Sequence, residues 1–267
     1  MKKIALILVF LLIFSGCRNV GKTEIPIENY PVVIGGMKFL DAPEKIVVLS
    51  EGLLNIITEA GFENFVSEEK EIGDEYYPDA EKIIESKAEL VLSFMEIEAS
   101  VVKTLSEENI RILVLKRPQT MAELKDVISS VSRLFLGELN GEKEAEKTYK
   151  KYENEITPIK TTFEENTFVY IKNRELEPIK NSLLNDVLGE TFKNKNPEAL
   201  TEETLKELNP DYIFLGSGID EAYLNSLPVA ENLSAIENEK IISLPENLLD
   251  SFKSEDFKNL RKPLGIE

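Results

Sequence analysis

The chain has no histidine, no tryptophan and a single cysteine, Cys17, in 267 residues. Without imidazole, Ser-His-Asp and Cys-His catalysis is unavailable. So are the imidazole-containing ligand sets that receptors for bare zinc or manganese ions use. One cysteine cannot close a disulfide within the chain. No Gly-x-Ser-x-Gly nucleophile elbow occurs either, and a catalytic role is not expected. Basic residues are outnumbered, 31 Lys and Arg against 49 Asp and Glu, for a formal charge of −18. Nucleic acid and anionic lipid surfaces are therefore poor partners, and solubility is the plain consequence of the acidity.

The chain opens Met1-Lys2-Lys3, continues as an apolar run over 4–14 and reaches Ser15-Gly16-Cys17. A charged start, a short hydrophobic stretch and small residues at its end form the layout of a secretory signal. The run is too short to cross a bilayer, which takes about 20 apolar residues. A buried N-terminal helix is the competing reading, weakened by the unpunctuated run and the lysines before it. Phe14-Ser15-Gly16-Cys17 resembles the lipobox at which bacteria lipidate a cysteine and cleave before it. Lipidation would also remove a lone thiol from an oxidising compartment, and several acyl chains, at about 0.8 kcal/mol per buried CH₂, anchor stably. This reading gives a signal peptide over 1–16 and a polar lipidated tether over 17–29. Losing Lys2 and Lys3 with the leader takes the charge from −18 to −20.

Beyond the tether, short β-rich runs alternate with amphipathic helical segments, the pattern of α/β architecture. Strands are expected at 45–49, 90–93, 111–115, 167–171, 212–215 and 240–244, with helices at 52–60, 80–86, 101–109 and 201–208. Several of these strands are almost wholly apolar, as parallel strands covered on both faces are. A helix over 121–136 carries one apolar stripe through Leu124, Val127, Ile128, Val131 and Leu134-Phe135. The segment 142–160 is dense in Glu and Lys and is taken as a helical bridge between two lobes. Residues 81–92 echo residues 203–214 at an offset of 122, each a helix opening with Glu that runs through a turn into an apolar strand.

These runs resemble a known family, the substrate-binding proteins of ABC importers for iron-siderophores, haem and cobalamin. Ala42-Pro43-Glu44-Lys45 with the apolar run to Ser50 resembles the family's opening strand. Ala60-Gly61-Phe62 resembles the segment after its first helix, and Leu208-Asn209-Pro210-Asp211-Tyr212-Ile213 its helix-to-strand motif. Leu233-Ser234-Ala235-Ile236 through Ile241 resembles the approach to its last strand. The sequence departs from the pattern at Lys87-Ala88-Glu89, where Lys-Pro-Asp is usual. The resemblance implies two Rossmann-like α/β lobes with mainly parallel sheets, joined by a single long connecting helix. On this chain that gives a first lobe over 30–140, the connecting helix over 141–163 and a second lobe over 164–267. It implies an extracytoplasmic monomer that binds a metal chelate as cargo, holds no permanent cofactor or metal of its own, and delivers to a permease dimer and its ATPase subunits.

In sheets of this type, ligands sit beyond the carboxyl ends of the strands. The loops there offer Ser50, Glu51, Met95, Arg117, Lys172, Arg174, Ser217 and Glu246, with Tyr76 and Tyr77 on the loop before the second helix. Arg117 and Arg174 suit an anionic chelate through bidentate bonds; pairing with surface glutamates is the alternative. The tyrosines offer faces for stacking or simply cover a lobe edge. Met95 is a soft haem ligand or a core residue. Glu81 and Glu203, matched across the echo, take from the resemblance the role of docking one carboxylate per lobe onto the permease; the alternative is that each complements a helix dipole. A ferric siderophore is the first ligand choice, with cobalamin and haem behind it, and a degenerate sensor or adhesin subunit is the rival role.

Overall fold

The computed structural model describes residues 29–69, 71–179, 182–191, 199–245 and 247–266. An antiparallel hairpin, β1 (Val32–Ile34) and β2 (Met37–Phe39), precedes a parallel sheet of β3 (Ile46–Val48), β4 (Leu90–Ser93) and β5 (Arg111–Val114), ordered β3-β4-β5. Helices α1 (Glu51–Glu59), α2 (Ala80–Glu85) and α3 (Ala99–Glu107) connect the three strands. Strands β3 and β4 are buried at every position. Ile46, Leu90 and Leu92 pack on one face with Leu53 and Ile56, and Val47 and Val91 on the other with Ile83 and Leu105. Helices on both faces require such continuous apolar runs.

After a long helix, α4 (Met121–Phe163), a second parallel sheet follows, β6 (Phe168–Asn173), β7 (Tyr212–Gly218) and β8 (Ile241–Ser243), ordered β6-β7-β8. Its helices are α5 (Leu183–Thr191), α6 (Glu202–Leu208), α7 (Glu221–Ser226) and α8 (Ser234–Glu237). The echo seen in sequence holds in three dimensions. Ile46 pairs with Leu90 in the first sheet and Phe168 with Tyr212 in the second, each member displaced by the same 122 residues. Helices α2 and α6 both lead to a central strand through a residue in the left-handed region, Lys87 (φ 59°) and Asn209 (φ 37°), again 122 apart.

Helix α4 is two arms. Gly137, at φ 75° and ψ −175°, breaks the helical path, a conformation that only glycine adopts without strain. The arms lie antiparallel, tied by Lys125 to Glu146 at 3.0 Å, Ser129 to Glu142 at 2.7 Å and Arg133 to Glu138 at 2.6 Å. Asn29, at the end of the expected tether, is buried against this break, and its Oδ1 accepts from the Leu139 N–H. The second arm, 138–163, spans about 39 Å at 1.5 Å per residue and starts ahead of the expected position 141. It is not a solvated bridge. Ala145, Thr148, Tyr152, Ile156, Ile159 and Phe163 are buried at three- and four-residue spacing, a stripe that enters the core.

That core is shared. One continuous cluster includes Ile46, Leu53 and Leu90 of the first lobe, Tyr152 and Ile156 of the long helix, and Phe168, Tyr170 and Phe214 of the second lobe. Residues 247–266, including α9 (Ser254–Asn259), reach back across the lobes. Asn55 Nδ2 donates to the Ser251 carbonyl at 2.9 Å, Ser254 Oγ to Glu59 at 2.9 Å, and the Tyr152 hydroxyl to the Phe252 carbonyl at 2.8 Å.

Candidate functional site

A cavity of about 410 Å³ opens between the lobes at the carboxyl end of β3. Its first-lobe wall is Leu49, Ser50, Glu51 and Gly52 after β3, Asp74, Glu75 and Tyr76 before α2, and Arg117 after β5. Asn247, Asp250 and Ser251 close it from the other side. A larger depression of about 990 Å³ lies at the opposite ends of β3 and β4, around Lys45, Ser67, Lys87 and Glu89. Ligands of open α/β sheets bind at the carboxyl ends, which favours the smaller cavity.

The floor of that cavity is built around Arg117. Its guanidinium lies 5.8 Å from the Phe94 ring and 5.5 Å from the Phe252 ring, an arrangement in which ring quadrupoles attract the cation. Its Nη1 is 3.6 Å from Glu75 Oε1, and the Glu75 side chain is only 9% exposed. Glu75 Oε2 is buried with no hydrogen-bond partner. Phe252 packs edge-on against Phe94 and fills the space over Gly52, where an added Cβ would come within 2.7 Å of the Phe252 ring. At the rim, Asp74 Oδ1 accepts from the backbone N–H groups of Tyr76 and Tyr77 at 2.8 and 2.9 Å, an Asx turn that sets the loop. Ser50 is buried at the N-cap of α1, and Glu51 occupies that helix's first turn.

Of the residues expected from sequence, the cavity gathers Ser50, Glu51, Tyr76 and Arg117. Tyr76 is 66% exposed at the rim, and Tyr77 points further out. Met95 is exposed rather than a core residue, and does not line the cavity. Lys172, Arg174 and Ser217 stand at the ends of β6 and β7 but off its walls. Arg174 bonds Asp220 at 3.0 Å and lies over the Tyr223 ring at 5.0 Å, the glutamate-type pairing in aspartate form. The same contact, after the Tyr223 N–H bond, holds the Asp220 carboxyl below its ordinary range. Lys172 faces Glu177 at 3.9 Å. Glu246 and Cys17 lie outside the described residues, although Asn247, next to Glu246, reaches the cavity. Glu81 and Glu203 are exposed at the second position of α2 and α6.

Sequence reasoning missed Asp74, Glu75, Asp250, Ser251 and Phe252. Gly73-Asp74 ahead of Pro78 is a turn signal that marked the loop without singling out Glu75. Nothing local in the sequence shows that Phe252 returns to the first lobe. Gly16 through Thr23 has the spacing Gly-x-x-x-x-Gly-Lys-Thr of a phosphate loop. It lies outside the described residues, and Pro26 follows where such a loop needs the first turn of a helix.

No family model matches the chain, and no curated protein matches it. Solved structures do match. A possible iron-binding periplasmic solute-binding protein from Staphylococcus epidermidis is 16% identical, with a TM-score of 0.62 over 84% of this chain and 99% of that one. The iron-uptake ABC transporter substrate-binding protein PiuA from Streptococcus pneumoniae is 21% identical, with a TM-score of 0.61 over 88% and 98%. The petrobactin-binding protein YclQ from Bacillus subtilis is 14% identical, with a TM-score of 0.59 over 88% and 97%. The chain therefore has the two-lobed fold of the solute-binding proteins of ABC importers. Among the described residues no helix is long and apolar enough to cross a membrane.

Proposed function

We propose that the protein captures a metal chelate outside the cytoplasm, a ferric siderophore first among such chelates, and delivers it to an ABC importer. The observation that carries this reading is the cavity of about 410 Å³ at the carboxyl end of β3, walled by both lobes. Its size falls within the roughly 300–1,000 Å³ of small-molecule sites. The matched structures are described as iron-uptake and petrobactin-binding proteins, which supports the same ligand class. Cobalamin or haem is the second reading, favoured by the open Tyr76 face at the rim. A role in binding, without catalysis, is part of this proposal, in line with the descriptions of the matched structures as substrate-binding and petrobactin-binding proteins. Native mass spectrometry of the purified protein against ferric siderophores, cobalamin and haem tests the reading. One retained chelate is expected; retention of none overturns it.

Delivery requires that the protein stay near its permease. In this proposal Cys17 carries the lipid, and Glu81 and Glu203 meet the two permease subunits. Cys17→Ala should leave the chain unlipidated and move it out of the membrane fraction. Full membrane partition of that variant after leader cleavage would refute the anchor.

A further inference from the structure

The charge of the cavity is opposite to what an anionic chelate requires. Glu51, Asp74, Glu75 and Asp250 face a single guanidinium, Arg117, a formal −3 among the described lining residues. Glu51 and Asp74 have local duties, in the first turn of α1 and in an Asx turn. Glu75 has none of that kind. Its side chain is nine-tenths buried, its Oε1 is beyond hydrogen-bond reach of Arg117 at 3.6 Å, and its Oε2 has no partner at all. A buried carboxylate without a full set of donors is costly, so Glu75, which lines the cavity, gains from a cationic donor brought up to its carboxylate. Arg117, the one cation of the lining, already faces Glu75 at 3.6 Å and lies near the Phe94 and Phe252 rings, so part of its charge is answered before a ligand arrives.

We infer that the cleft selects a chelate bearing a protonated amine or similar cationic donor, which pairs with the Glu75 carboxylate while the rim carboxylates attract it. The inference rests on the proposed chelate-binding role and names the charge of its ligand. Among the described residues no three His, Cys, Asp or Glu side chains converge as metal ligands. Glu51, Asp74 with Glu75, and Asp250 reach the lining from three separate segments of the chain, which suits a charged group carried on a larger organic ligand.

The test uses one ferric trihydroxamate in three forms, with its primary amine free, acetylated or succinylated, so that the net charge steps from +1 to 0 to −1. Calorimetric titration of the full chain in detergent should show the free amine binding at least about tenfold more tightly than the acetylated form, with the succinylated form weakest. The preference should shrink as salt is raised. Glu75→Gln should cut the preference for the amine by about tenfold and improve binding of the succinylated form, because Arg117 is then released. Glu51→Gln, at an exposed position, is a second variant that should narrow the preference more modestly. Equal or reversed preference in the unaltered protein overturns the inference and leaves the chelate role standing. If none of the three binds while the wider siderophore, cobalamin and haem panel yields a ligand, the inference alone falls. An empty panel removes the role on which it rests.

Discussion

Gly52 stands where β3 hands over to α1, under the ring of a phenylalanine 200 positions further along the chain. Phe252 is 1% exposed, held by Phe94, by the Tyr152 hydroxyl on its carbonyl and by a left-handed φ of 53°, so it has little room to yield to a new methyl group. Gly52→Ala should destabilise the fold by about 1–3 kcal/mol, the usual cost of overpacking, measured as a lowered urea midpoint. Adding Phe252→Leu should return part of that loss; an unchanged midpoint in the single variant would mean that the ring moves freely. The same neighbourhood shows what sequence can convey about a site. Arg117 was legible because a cation ending a strand is conspicuous in an acidic chain. Glu75 was not, because it follows Glu68, Glu69, Glu71 and Asp74, and only the fold decides which member of an acidic run is turned inward. The two strand-end cations of the second lobe, Lys172 and Arg174, were as conspicuous as Arg117, yet the chain gives each an acidic neighbour of its own.

Helices α2 and α6 show the molecule's internal repeat most clearly. Each presents an exposed glutamate at its second position, is followed by a left-handed residue and feeds the central strand of its sheet. A permease of two related subunits would meet one carboxylate from each. Charge pairs in an interface show couplings of roughly 1.5–7 kcal/mol, whereas losing a helix-end carboxylate costs about 0.3–1 kcal/mol. The double variant Glu81→Lys, Glu203→Lys should therefore fold and bind ligand almost normally yet fail in uptake and in stimulating the transporter's ATPase. Normal uptake would remove the docking role, and lost ligand binding would give these residues to the fold. Elements with continuous apolar runs, β3, β4 and β7 among them, were readable because burial on both faces leaves no other composition. The second arm of α4 was harder, because its buried stripe begins with Ala145, Thr148 and Tyr152, residues that do not announce a core. The three-residue strands β1 and β2 are too brief for periodicity to register.

Taken as one body, the two lobes share a hydrophobic cluster that runs through the second arm of α4. A hinge that opened widely would have to pull Tyr152, Phe168 and Phe252 apart, exposing apolar surface at about 25 cal/mol per Å². Ligand binding should thus change the radius of gyration by less than about 1 Å, a small rocking and not a large hinge closure. Small-angle scattering with and without ligand checks this, and a change of several ångströms would contradict it.

The return of residues 247–266 to the first lobe also bears on time. Asn55 waits for Ser251 and Glu59 for Ser254, partners separated by 196 and 195 residues. A chain made from its amino end has β3, α1 and the first sheet complete long before those partners exist. Contacts of such long sequence separation slow folding, so the first lobe stays unfinished, with Gly52 uncovered and α1 unpinned, until nearly all of the chain has left the ribosome.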